Sequence, residues 1–257
     1  MAKRGFEVAK GFEDKGINLP KRGTANAAGY DFEAAEDVKI LPLQDIQKLH
    51  KEKVFKIMTK DFFGVELTED ELKTGEAFDK IDPVSFLSVQ AKILDLAKVL
   101  EVSIEDILED PNAFDFSDIV MNSSEEQNDQ ILGTILSDES VTKIKELKKM
   151  FKPVLVPTGV KAYMGDEEVL ILANRSSNPL KRNLILANGI GVIDTDYYGN
   201  EDNDGHIMGQ FINFGPEAVF IKKGERIFQG MFQPFLLADN DVAGGKRVGG
   251  HGSTDSI

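Results

Sequence analysis

Cysteine is absent from this chain of 257 residues, and histidine is nearly so, with only His50, His206 and His251. The first absence excludes disulfides and thiolate metal sites; the second leaves too few imidazoles for an all-protein zinc centre. Any metal is therefore expected to be a hard cation held by carboxylates or by a substrate's phosphates. No run of about eighteen apolar residues occurs, and the opening MAKRGFEVAKGFEDKGINLP lacks a charged-then-apolar leader with a cleavage site. The expectation is a soluble, unexported, cytoplasmic protein with no membrane partner. Positive charge is also in deficit, 30 Lys and Arg against 44 Asp and Glu, for a net −14. That balance argues against a nucleic-acid partner, because such affinity comes chiefly from neutralised phosphates. An anionic small molecule would have to be met by local cations.

Two textures are present. From about Asp31 to Leu43, and again from about Val154 to Leu237, short runs rich in Val, Ile and Phe are punctuated by Gly, Pro and Asn, as in VLVPTGV, EVLILANRSSNP, NLILANGIGVID and RIFQGMFQPFLL. Closely spaced short strands with turn signals between them predict an all-β barrel or sandwich. Between them the period becomes helical. Ile93, Leu96, Ala97 and Leu100 share one face, and Val141, Ile144 and Leu147 mark a later helix with Lys148 and Lys149 in its last turn. Thr68 followed by Glu71 reads as a capping box, Ser103 followed by Asp106 as a weaker helix start, and Pro153 ends the helical pattern. Residues 44–151 hold about 24 acidic against 13 basic residues, or −11 of the total of −14. The chain thus reads as a discontinuous β core, 1–43 with 152–257, carrying an acidic α-helical insert at 44–151. LAKVLEVSIEDILEDP is similar to the closing helices of small helix-turn-helix repressors, but the charge favours a packed helical hairpin.

Five segments carry polar chemistry: NAAGYDF (26–32), NRSSNP (174–179), NGIGVIDTDYYGN (188–200), KKGERIFQG (222–230) and KRVGGHGSTD (246–255). The third reads as a hairpin whose glycines tolerate positive φ and expose backbone N–H and C=O groups. The carboxylate of Asp194 is of the kind that orients and deprotonates an attacking water. Asp196 reads as structural, and Tyr198 as a strand aromatic covering the core. A guanidinium, two hydroxyls and a turn in NRSSNP suit phosphate oxygens, although RSS alone is common in surface loops. Arg226 lies three residues before Gln229 on one strand, so alternation assigns it to the other face in a structural role. The glycine-rich tail reads either as a loose terminus or as a closing lid. His206 and the acids of NEDNDG have no assignable role, and His50 reads as a solvated helix residue.

In this order the five segments resemble the motifs of the homotrimeric dUTPases, which hydrolyse dUTP to dUMP and pyrophosphate. The resemblance covers the β part and leaves the insert unexplained. It implies a jelly-roll β-barrel core forming a trimer, with Asp194 as general base. It also implies Asn188, Gly191 and Ile193 at the uracil, and Tyr197 against the deoxyribose. Arg175, Ser176, Ser177 and Gln229 would contact the phosphates. Arg247, His251, Gly252, Ser253 and Thr254 would sit on a closing arm, with His251 where the family usually stacks a phenylalanine and Asp255 where it usually has glycine. Asp31 would hold waters on a Mg²⁺ chelated by the substrate. Two other readings stay open: the dCTP deaminase branch of the same fold, and a regulatory scaffold whose insert binds a protein partner.

Overall fold

The computed structural model describes residues 4–66, 68, 71, 92, 95, 132–134 and 136–242. The chain divides into two units, Met1–Gln44 with Pro153–Ile257, and Asp45–Lys152.

Among the described residues the first unit has twelve short strands: β1 (Gly5–Val8), β2 (Lys21–Arg22), β3 (Tyr30–Glu33), β4 (Val38–Ile40), β5 (Val154–Pro157), β6 (Val160–Tyr163), β7 (Glu168–Asn174), β8 (Leu184–Leu186), β9 (Ile190–Ile193), β10 (Met208–Asn213), β11 (Val219–Ile221) and β12 (Arg226–Pro234). They form antiparallel sheets in the orders β1-β6, β5-β10-β8, β11-β4 and β2-β3-β12-β7-β9. The mainly β expectation holds. Alternation places Phe32, Phe228, Leu170 and Leu172 of the five-stranded sheet inward, where they join Val156, Leu184, Phe211 and Ile221 in one core. Phe32 stacks on Phe228 with ring centroids 4.9 Å apart, and Phe6 meets Phe32 edge-on at 5.3 Å. Gly230 is required where Phe32 crosses, because a Cβ there would fall 2.7 Å from the Phe32 ring.

The chain leaves this unit and returns to it beside one strand. Pro42 forms a parallel bridge to Asn213 of β10, while Val154 pairs with Phe211 two residues away. Leu184 of β8 already occupies the other side of Asn213, so both ends lie along the same edge of β10.

The second unit contains α1 (Leu43–Phe63, which begins two residues before it) and α2 (Asp138–Leu147), followed by a 3-10 turn at Lys148–Phe151. Val54 and Met58 of α1 pack with Leu132, Leu136 and Ile144 in a core of their own. Ser137 caps α2: its hydroxyl accepts from Ser140 N and donates to Asp61 Oδ1 at 3.0 Å. The Thr68–Glu71 capping box is present, with Thr68 N donating to Glu71 Oε2 at 2.7 Å and Glu71 N to Thr68 Oγ1 at 3.2 Å. Lys148 and Lys149 lie just past the end of α2, in the 3-10 turn rather than its last turn. The helical positions Ile93, Leu96, Ala97 and Leu100, and the Ser103–Asp106 start, fall outside the described residues.

His50 is corrected: it is only 3% exposed, not solvated, with its ring 4.9 Å from that of Phe151. His50, Val54 and Met58 are spaced by four, one helical face, and that face is buried. Its imidazole pKa is pushed down, first by burial and then by Lys148.

Candidate functional site

The five-stranded sheet has a polar outer face. One row of facing residues crosses four strands: Asp31 on β3 opposes Gln229 on β12, Gln229 opposes Ala173 on β7, and Ala173 opposes Ile190 on β9. Directly opposed residues project to the same side, so Asp31, Gln229 and Ile190 share the face that the core does not use. Gln229 has room because position 29 is glycine; a Cβ there would fall 2.7 Å from Gln229 Oε1.

Arg175 follows the end of β7 and sends its Nε to Asp31 Oδ1 at 3.2 Å. Arg226 places Nη1 3.1 Å from Asp31 Oδ2, and its carbonyl accepts from Arg175 Nη1 at 3.1 Å. Two guanidiniums and one carboxylate thus form a compact cationic cluster beside Gln229. The expectation that Arg226 faces away is overturned. The β3–β12 register slips between Arg226 and Phe228, and such a bulge cancels the alternation on which that expectation rested. Nothing in RIFQG announces the bulge.

NRSSNP is not an open loop. Ser177–Arg182 forms a short helix, α3, ending at Asn183 in the left-handed conformation, φ 53°. Ser176 precedes it, exposed and making no side-chain capping bond; Ser177 is half-buried. Asn178, treated above only as a turn former, is buried and functions as a staple. Its Nδ2 donates to Asn174 Oδ1 at 2.7 Å and to Ile227 O at 2.6 Å, fixing the serine segment to β12 beside the bulge.

GVIDTDYYGN is likewise not a β-hairpin. β8 and β9 belong to different sheets, and β9 pairs only with β7, making it the sheet's last strand. Asn188 is exposed in the preceding turn, and Gly189 there adopts φ 70°. Gly191 is buried against Leu172, where a Cβ would come within 3.1 Å, and Ile193 packs against the core. Ile190 and Val192 are 55% and 54% exposed on the outer face. Asp194 keeps an extended backbone (φ −78°, ψ 159°) and caps a 3-10 turn at Thr195–Tyr197. Alternation therefore carries Asp194 to the side of Val192, the side of Asp31 and Gln229. Asp196 lies inside that turn, so strand alternation does not govern it.

The two tyrosines have different surroundings. Tyr197 is 7% exposed and belongs to the main core; its hydroxyl donates to His206 O at 2.9 Å and accepts from Asn203 Nδ2 at 2.8 Å. Tyr198, expected to cover the core, is 38% exposed, with its hydroxyl 2.6 Å from Glu7 Oε2 and Lys161 Nζ 4.8 Å above its ring.

His206 acquires a structural role. It is buried, its Nε2 accepts from Gly159 N at 2.9 Å, and its ring lies 4.6 Å from Phe12. Burial, with Lys15 nearby, lowers its pKa to about 4. In the NEDNDG loop Asn200 caps Asp202 and Asn203, and Asp204 pairs with Lys161 at 2.8 Å. No cluster of three His, Asp or Glu able to hold a metal occurs among the described residues. A cleft of about 250 Å³ lined by Gly16, Asn18, Glu33, Thr158 and Lys223 includes none of the expected residues. Arg247, His251, Gly252, Ser253, Thr254 and Asp255 lie outside the described residues. No described helix is long and apolar enough to cross a membrane.

Chemically, the outer face offers paired guanidiniums, an amide and hydroxyls for a polyphosphate, a carboxylate at Asp194, and the free edge of β9 for a flat, hydrogen-bonding ring. The dUTPase family model matches residues 138–241. A deoxyuridine 5'-triphosphate nucleotidohydrolase of Lactococcus lactis subsp. lactis strain IL1403 is 57% identical over 256 residues, 99% of each chain. Another, from Desulfitobacterium hafniense strain DCB-2, is 39% identical over 107 residues, covering 39% of this chain and 67% of that one. The crystal structure of a dUTPase from Streptococcus mutans aligns with 92% of this chain and 99% of its own at 29% identity, with a TM-score of 0.47.

Proposed function

The chain belongs to the dUTPase family and hydrolyses dUTP to dUMP, and we propose that it does so by in-line attack of a water activated by Asp194 on the α-phosphorus, releasing pyrophosphate. The observation that carries this reading is the convergence of Arg175 and Arg226 on Asp31, on the sheet face that Gln229 shares. Cations gathered at one spot by packed strands are placed to stabilise phosphate charge as it develops.

In this reading Arg175, Ser176, Ser177 and Gln229 hold the triphosphate, and Arg247, Ser253 and Thr254 close over it with His251 and Gly252. Asn188 and the Gly191–Ile193 edge pair with uracil through backbone groups. A wrong base is rejected there because it leaves buried donors or acceptors unmatched. Tyr197 offers the deoxyribose what little of its ring the core leaves uncovered.

Mg²⁺ fits this site as a substrate-borne ion. The donor set supplies one carboxylate, Asp31, and hard cations that keep their waters need no more than that from the protein. Mg²⁺ bound to the phosphates would supply charge neutralisation. Asp31 would hold that ion through its waters, by accepting their hydrogen bonds. A homotrimer follows from the same family reading.

Replacing Asp194→Asn should lower kcat by about a thousandfold, within the usual range for a lost general base, with binding of a non-hydrolysable dUTP analogue changed by little. Steady-state kinetics and calorimetry check this; near-normal turnover would sink the assignment.

A further inference from the structure

The β7–β9 ladder ends at Leu170–Ile193, one residue short of Asp194. Immediately after it, the Thr195 hydroxyl points back at the β6–β7 turn. Its Oγ1 lies 3.0 Å from Gly165 O and 3.1 Å from Glu168 O, two acceptors that one hydroxyl proton can share. That turn is itself closed twice: Glu168 N donates to Gly165 O at 3.0 Å, and Gly165 N to Glu168 Oε2 at 3.1 Å. The Glu168 carboxylate is gripped by both Arg4 nitrogens, Nε at 3.0 Å and Nη2. This Arg4 pairing and the Gly165 N–H hold its pKa below the ordinary carboxylate range.

We propose that Thr195 is a positioning residue for the water-activating carboxylate: its hydroxyl, anchored on the Arg4-clamped turn, fixes the backbone at which Asp194 leaves β9. The inference rests on the assignment of Asp194 as the base. A strand end beyond its last ladder pair is free to swing unless something outside the strand holds it, and a misplacement of about 1 Å costs on the order of a hundredfold in rate. Thr195 touches neither substrate nor reacting atom in this account. Its contribution therefore belongs in kcat, with uracil and phosphate binding left intact.

The test uses the full-length protein. Thr195→Val keeps the branched shape and removes the hydroxyl; Thr195→Ser keeps the hydroxyl. The expected result is a drop in kcat of about 10- to 100-fold for the valine variant with KM within twofold, and recovery to within about threefold by serine. Wild-type kcat in Thr195→Val, or equal impairment of both variants, overturns the proposal. Should the valine variant fail to fold, Arg4→Gln unclamps the turn while leaving Thr195 and its acceptors in place. A kcat loss without a KM change supports the proposal there, and unchanged kcat overturns it. Asp194→Asn, measured alongside, separates the two readings. If it is inactive while Thr195→Val is normal, only the positioning role falls; if it is active, the base assignment falls and this inference with it.

Discussion

Asp31 balances two guanidiniums before any substrate arrives, so the cationic cluster is held in shape at little electrostatic cost. The sequence showed Asp31, Arg175 and Gln229 through the resemblance of their segments to the family's motifs. It hid Arg226 because a bulge has no residue signature here, and Asn178 because a buried amide staple reads like any turn asparagine. His50 was misread for a related reason: burial is set by what packs around a residue, although the His50–Val54–Met58 spacing did contain the signal. His206 yields a pH prediction. Unfolded, the imidazole takes a proton near 6.5; folded, only near 4. Between these values the unfolded chain binds more protons, so stability is intact above about pH 6.5, falls as pH drops through the window, and levels off below about 4. Urea unfolding should show a loss of about 2 kcal/mol between pH 6.5 and 5 from this group. His206→Gln, which lacks the titrating ring, should lose correspondingly less over the same interval; identical pH dependence in both proteins would contradict the assignment.

At the level of elements, strands and helices were legible wherever a period ran uninterrupted, as in β7 and α2. The Thr68–Glu71 box was legible because its chemistry is local. What failed was the segment after Ile193, where an extended strand passes into a 3-10 turn within one residue and Tyr198, read as covering the core, is exposed. That turn is shaped from outside by the following loop. Gly205 sits at φ 79°, and a Cβ there would meet only backbone: Tyr197 O at 2.7 Å, Tyr198 Cα at 3.0 Å and Gly199 N at 3.1 Å. Gly205→Ala should therefore cost about 2–3 kcal/mol, from strain plus a clash that no side chain can relieve. Gly11→Ala, at φ 85° but with nothing within 4 Å of its Cβ, should cost only about 1 kcal/mol. Thermal or urea denaturation of the two variants gives the comparison; equal losses would mean the close backbone approach is not what constrains position 205.

For the whole molecule, the texture shift along the sequence marked two kinds of structure, but not how the chain passes between them. Pro42 and Val154 stand two residues apart along one edge of β10, a separation of about 7 Å at the rise of a strand. A chain in which residues 45–152 are replaced by a short Gly-Ser linker should still complete β10's edge. It should scatter light as a trimer, like the full-length protein, and turn over dUTP within about threefold of it. Monomeric scattering by the full chain would refute the trimer, and lost turnover in a folded, trimmed chain would tie the insert to the chemistry. The insert for its part brings its own ends together, since His50 near the start of α1 packs on Phe151 at the close of the second unit. Closing a long flexible loop slows folding because its entropy is lost before distant contacts form. An insert that folded first would remove that delay, so that Pro42 and β5 find β10 as though joined by a short connection.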